Sequence, residues 1–159
     1  MSIPQPGKVY AVVYAPAGGL LAIAGQNSLE LHSVDTNSVK HSLVSDGLAI
    51  TAVAFSRDGK IVAGSDVSGR VTLWDAVTGA VKAVITEHTD LVDSLSFSPD
   101  GKILAMGGYD NTVMLLNTES NSLISKFTEA DKITSLSFSH NGSMLAFGGW
   151  SKSVQLRSR

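Results

Sequence analysis

A repeat of about 42 residues limits what this chain can fold into more than any other feature it carries. Four stretches align: 12–25 (VVYAPAGGLLAIAG), 53–65 (VAFSRDGKIVAGS), 95–108 (LSFSPDGKILAMGG) and 136–149 (LSFSHNGSMLAFGG). Their aromatic anchors Tyr14, Phe55, Phe97 and Phe138 follow one another at intervals of 41, 42 and 41 residues. A second ladder, Leu29, Val71, Val113 and Val154, advances by 42, 42 and 41. Two independent ladders in one register establish the repeat.

Inside each unit the apolar period is two. In 51–55 (TAVAF), Val53 and Phe55 share one face and the alanines fill the other; Leu95/Phe97 and Leu136/Phe138 repeat this with serines between. Such alternation marks a strand. Turn formers follow at Arg57-Asp58-Gly59, Pro99-Asp100-Gly101 and Asn141-Gly142, where glycine supplies the positive φ of a hairpin. Small-residue strands come next (61–65, 103–108, 144–149), then a third strand such as 70–75 and a looser fourth at 39–44, 81–86 and 123–128. No segment has convincing helical periodicity.

Four short antiparallel strands per unit is the pattern of a β-propeller blade. The expected fold is all-β, with about four blades of four strands each. At this point the sequence resembles the WD-repeat family. The stretches 98–105 (SPDGKILA) and 71–75 (VTLWD) look like the most diagnostic parts of that repeat, and His88 falls four residues before Val92, at the family's Gly-His position. The resemblance covers residues 8–158. The Trp-Asp pair survives as Trp74-Asp75 and becomes His32-Ser33, Leu116-Asn117 and Arg157-Ser158 elsewhere. The resemblance implies a structural network of His, strand Ser or Thr, turn Asp and Trp. Here its candidates are His88, Asp110, Trp74 and Asp75, with His88 and Asp110 the best-preserved pair.

The resemblance also implies closed rings, usually of about seven blades; seven repeats need about 290 residues, and this sequence has 159. The expected division is one propeller domain: 1–7 an N-terminal tail, then blades at 8–48, 49–91, 92–132 and 133–159, the last lacking its outer strand. Pro4 and Pro6 make the tail a poor donor for that strand. An isolated four-blade arc leaves an apolar face at each end. Two chains closing an eight-bladed ring solve this, since closed symmetry satisfies self-complementary ends; the alternative is a natural or engineered fragment of a larger ring.

Composition bounds the rest. The chain is 43% hydrophobic and 16% charged, with 12 basic and 14 acidic residues and a net charge of −2. That balance argues against a polybasic nucleic-acid binder. No apolar run approaches ~18 residues, residues 1–6 (MSIPQP) lack the regions of a signal peptide, and there is no cysteine. The expected location is cytoplasmic or nuclear.

Candidate chemistry is sparse. His88, Asp110 and Ser94 or Ser96 invite a catalytic-triad reading, but no nucleophile elbow or oxyanion loop accompanies them; a buried network tying strands together is the stronger reading. His88, Asp90 and Asp93 match no metal-ligand spacing, and the Asp-Gly pairs lack the alternating carboxylates of a calcium loop. Gly107-Gly108 and Gly148-Gly149 precede no helix, so they are not phosphate cradles. Asn141-Gly142-Ser143 reads as a hairpin turn rather than a glycosylation site. Lys152, Arg157 and Arg159 make a small basic end, read as a solvated edge.

The turns between second and third strands carry more weight. They hold Gln26-Asn27, Val67-Ser68, Tyr109-Asp110 and Trp150-Ser151. The resemblance implies that these loops line the top face where protein partners dock. Gln26, Val67, Tyr109 and Trp150 are the partner-binding candidates, and the two aromatics are of the type enriched at hot spots; the competing reading is local packing over their own blades. The expected function is a non-catalytic interaction scaffold binding protein partners and itself, with no cofactor, metal, nucleic acid or membrane. The alternatives are a self-assembling half-propeller with no other partner and, less favoured, a propeller enzyme with metal ligands in its channel.

Overall fold

The computed structural model describes residues 2–26, 28–44, 46 and 48–159. Among the described residues the chain forms strands and no helix. The strands are β1 (Val9–Tyr14), β2 (Leu20–Gly25), β3 (Ser28–Ser33), β4 (Ser38–Val44), β5 (Ile50–Phe55), β6 (Ile61–Asp66), β7 (Val71–Asp75), β8 (Val81–Ile85), β9 (Val92–Phe97), β10 (Ile103–Gly108), β11 (Thr112–Asn117), β12 (Leu123–Thr128), β13 (Ile133–Phe138), β14 (Met144–Gly149) and β15 (Val154–Ser158). They pair as up-and-down antiparallel sheets β1–β4, β5–β8, β9–β12 and the three-stranded β13–β15. The first strands β1, β5, β9 and β13 neighbour one another in that order, so the sheets fan out as successive propeller blades.

The hairpin between first and second strands is locked by one hydrogen-bonded device used three times. Ser56 Oγ donates to Asp58 Oδ1 at 2.6 Å and accepts from the Ile61 N–H at 2.9 Å. Ser98, Asp100 and Ile103 repeat it at 2.6 and 2.9 Å, and Ser139, Asn141 and Met144 at 2.8 and 3.0 Å. Gly59, Gly101 and Gly142 take φ near +71° (70°, 72° and 71°) to let the chain reverse. In these three blades the first N–H of the returning strand is therefore taken up by a serine side chain.

Three apolar cores form, each shared by two blades. Leu29, Leu31, Ala22 and Ala24 of the first sheet meet Ile50, Phe55, Val62 and Trp74 of the second. Val71, Leu73 and Ala63 of the second meet Val92, Leu104, Met106, Met114 and Leu116 of the third. Val113, Leu115 and Ala105 of the third meet Ile133, Leu136, Leu145 and Phe147 of the fourth. Both faces of an interior sheet are thus covered, which explains why alanines sit opposite the large residues: a blade can approach closely only over small side chains. Polar latches cross the same seams. Thr51 Oγ1 and Ser65 Oγ donate to the Val92 carbonyl at 3.2 and 2.8 Å, and the Leu136 N–H donates to Ser94 Oγ at 3.0 Å.

The end sheets show the same pattern uncovered. Val154 and Leu156 are 74% and 65% exposed. Their counterparts Leu29 and Leu31, Val71 and Leu73, and Val113 and Leu115 are all buried. At the other end, Val12 and Tyr14 are exposed where Val53 and Phe55, or Leu95 and Phe97, pack inward. Residues 2–7 form no strand. They cross this face, with Gln5 Nε2 3.5 Å from Glu30 Oε2 and Ile3 lining a hollow with Tyr14, Leu21 and His32.

Candidate functional site

In the second, third and fourth blades the turn after the second strand is stapled to the residue preceding the first strand of the same blade. The N–H groups of Val67, Tyr109 and Trp150 donate to the carbonyls of Ala49, Leu91 and Lys132 at 3.1, 2.8 and 3.1 Å. This repeated bond gathers the turns and interblade links of the second, third and fourth blades at one end of the arc and makes Val67, Tyr109 and Trp150 structurally equivalent; Gln26 holds the matching place in the repeat of the first blade. Gln26 and Val67 are exposed; Asn27 lies outside the described residues.

Across the third and fourth blades the equivalent positions make a cluster. Trp150 is 58% exposed, Tyr109 is half-buried, and the ring centroids lie 6.2 Å apart at an interplanar angle of 59°. The Lys132 ammonium sits over both rings, 4.4 Å from the Tyr109 centroid and 4.9 Å from that of Trp150. The two aromatics therefore pack on each other and still present surface to solvent. The spacing of the turns brought Tyr109 and Trp150 to attention; Lys132 escaped it, because the ring–cation contact joins residues from two blades that no local spacing connects.

Beneath Tyr109 lies the buried pair. His88 Nδ1 is 2.9 Å from Asp110 Oδ2, while Asp110 also accepts from the Thr89 N–H at 3.1 Å and from Thr112 Oγ1 at 2.7 Å. Burial pushes the His88 pKa below its ordinary value, against the pull of Asp110. Burial alone raises a carboxylate, but hydrogen bonds from Thr112, Thr89 and His88 outweigh it and leave Asp110 below the usual range. His88 is thus neutral, with Nδ1–H donating to the carboxylate and its buried Nε2 lacking a partner. An unprotonated Nε2 is an orphan acceptor, a smaller penalty than a buried charge.

No triad assembles here. The hydroxyl at the pair is that of Thr112, whereas Ser94 is engaged in the latch to Leu136. Trp74 and Asp75 lie in the second blade, apart from His88 and Asp110. Trp74 is fully buried against the first blade, and Asp75 accepts from the Val77 and Thr78 N–H groups of its turn. The second blade has a different polar device at its top turn, which the sequence pattern did not disclose: Asp66 accepts from Ser68 and Arg70, and Arg70 also pairs with Asp46. The basic end is likewise engaged, Arg157 with Glu129 at 3.0 Å and Arg159 with Asp100 at 2.8 Å. Asn141 Oδ1 accepts from Ser139 and Ser143 within its turn. Among the described residues no three His, Cys, Asp or Glu side chains group as a metal site, and no helix is long and apolar enough to cross a membrane.

Sequence comparison agrees with this geometry. The profile of the WD domain, G-beta repeat, matches residues 32–75, and that of the anaphase-promoting complex subunit 4 WD40 domain matches 82–141. The chain belongs to the WD-repeat family. This WD-repeat chain is 22% identical over 117 residues to the COMPASS component SWD3 of Saccharomyces cerevisiae, covering 72% of itself and 37% of that protein. Among solved structures it superposes on U3-55K with a TM-score of 0.87 at 20% identity, covering 96% of itself and 49% of that chain. The WD40 repeats of RRP9 give 0.87 at 21% identity, with coverages of 96% and 48%. The chain therefore spans about half the length of the structures it matches, and these likenesses establish the fold.

Proposed function

We propose that this chain is a non-catalytic protein-interaction scaffold that presents its propeller top face, with Gln26, Val67, Tyr109 and Trp150 as the contact row. Residues 8–48, 49–91, 92–132 and 133–159 act as its successive blades. One observation carries the reading: the fold asks only for a backbone N–H at these turn positions, yet two of them hold large aromatics whose rings meet at the surface. Rigid aromatic area of this kind supplies binding energy at low entropic cost. The test is affinity capture with wild-type protein and a Tyr109→Ala/Trp150→Ala variant from the same cells. The variant should retain its thermal midpoint and lose the partners; equal recovery by both proteins excludes this face.

Self-association is a second reading, and Val154 and Leu156 favour it, because three equivalent pairs in the same chain are buried by a following blade. Two copies that cover each other's end faces make an eight-bladed ring with a two-fold axis. Light scattering during gel filtration decides: about twice the 16.6 kDa chain mass supports the ring, and a stable monomer at micromolar concentration excludes it. An intracellular location, cytoplasmic or nuclear, fits the cysteine-free sequence.

A further inference from the structure

The position occupied by Lys132 is not one where the fold requires a cation. Its role in the fold is to offer a carbonyl to the Trp150 N–H, and the interior blades fill the same place with Ala49 and Leu91. Only the first blade also has a lysine there, the exposed Lys8. The rings that Lys132 touches are blade-specific as well, since the equivalent side chains are Gln26 and Val67. Two aromatic turn residues and a lysine that the interior blades lack thus meet at one junction.

The electrostatics of the junction leave that cation unsatisfied. Three arginines have carboxylate partners, Arg70 with Asp46 and Asp66, Arg157 with Glu129 and Arg159 with Asp100. Among the described residues Lys132 makes no ion pair; ring faces are its recorded neighbours. Nearby acids are turned elsewhere: Asp131 accepts from the Lys132 backbone N–H at 2.8 Å, and Asp110 holds His88, Thr89 and Thr112. Ring faces polarise towards a cation but take none of its three N–H donors. The ammonium is therefore seated against two rings and half shielded from water, and its N–H donors remain available for an acceptor. Lys152 adds a second positive charge two residues along from Trp150 on the same turn.

We propose that the Tyr109–Trp150–Lys132 cluster docks an acidic peptide segment of a partner protein, whose aspartate or glutamate carboxylate pairs with the Lys132 ammonium while a flanking apolar side chain lies on Trp150. This rests on the reading of the top face as the partner surface, and names what that surface selects. The rings hold the lysine in one geometry before the partner arrives, so less side-chain entropy is lost on pairing than at a free surface lysine. Charge-assisted hydrogen bonds of this kind are roughly twice as strong as neutral ones.

The test uses three blocked peptides of alternating leucine with glutamate, glutamine or lysine, titrated into nitrogen-15-labelled protein. The chain has two tryptophans, Trp74 buried and Trp150 exposed, so their indole N–H signals report the core and the site separately. The glutamate peptide should shift the Trp150 signal saturably, leave that of Trp74 in place, and bind about tenfold more tightly than the glutamine peptide. The advantage should shrink as salt rises to ~0.5 M, vanish in Lys132→Gln and persist in Lys132→Arg. Equal binding of the glutamate and glutamine peptides, tighter binding of the lysine peptide, or no shift with any peptide at millimolar concentration overturns the proposal. The peptide comparison on wild-type protein stands even where a variant fails to fold. If capture of partners depends on the rings while the glutamate peptide shows no preference, the contact face stands and acid recognition falls.

Discussion

His88 donates one ring N–H to Asp110 and keeps its other nitrogen buried without a partner. Protonating it puts a charge and an unsatisfied donor into the seam under Tyr109. Its pKa is lowered in the fold, with burial as the largest cause, so between that value and the ordinary one of about 6.5 the unfolded chain binds more protons than the folded one. Stability is then complete above the unfolded value and declines as pH falls through it. The thermal midpoint should drop between pH 7 and pH 5, and His88→Asn, which keeps an N–H near the Nδ1 position but cannot titrate, should flatten that part of the profile. An equally steep decline in the variant would assign it to other groups. Asp110 contributes in the same sense at lower pH, its pKa being held below the usual carboxylate range. At this scale the sequence was partly readable. His88 and Asp110 stood at recognisable repeat positions, but Arg70 with Asp46, Glu30 with His32, and Lys132 with its rings did not. The contacts of Arg70 and Lys132 join residues far apart in sequence, which period and spacing do not record, whereas Glu30 and His32 are neighbours on one face of β3.

Single strands and turns show why small residues recur at fixed places. A Cβ on Gly149 would lie 1.8 Å from the Lys132 carbonyl oxygen, and one on Gly107 would lie 2.6 Å from Ile133 and 2.8 Å from Leu136. The first clash is with backbone, which cannot swing aside. Gly149→Ala should therefore cost about 3 kcal/mol in denaturant unfolding, at the upper end of overpacking, and disturb the neighbouring Trp150 N–H bond. Gly19→Ala, with open space around it, should change stability by less than about 0.5 kcal/mol. Comparable losses would sink the steric account. The strands themselves were legible, because period two and Asp-Gly or Asn-Gly turns are local signals. The serine that closes each hairpin, Ser56, Ser98 or Ser139, was visible only as part of a repeated string. Its bond across the turn is a contact the string does not state. Residues 2–7 form no strand, and their course over the first sheet depends on Ile3 and Gln5 finding an apolar face that the tail's own sequence cannot specify.

At the largest scale the four sheets form an arc in which no blade owns a core. Each of the three apolar clusters takes its side chains from two adjacent sheets, so the interior blades are held by two seams and the end blades by one. Such an arrangement behaves like a row of linked neighbours, where the free energy of opening depends on how many seams must part. Amide exchange should then be graded along the chain: slowest in β6, β7, β10 and β11, faster in β2 and β3, and fastest in β14 and β15. Uniform protection across all four sheets would show that the arc opens as one unit. The same logic sets how damage spreads. A lesion in the middle seam, at Leu104 or Met106, severs the row into two pairs, whereas an equal loss at Leu145 only sheds one terminal unit. Position along the row, as much as depth of burial, decides how far a local defect travels.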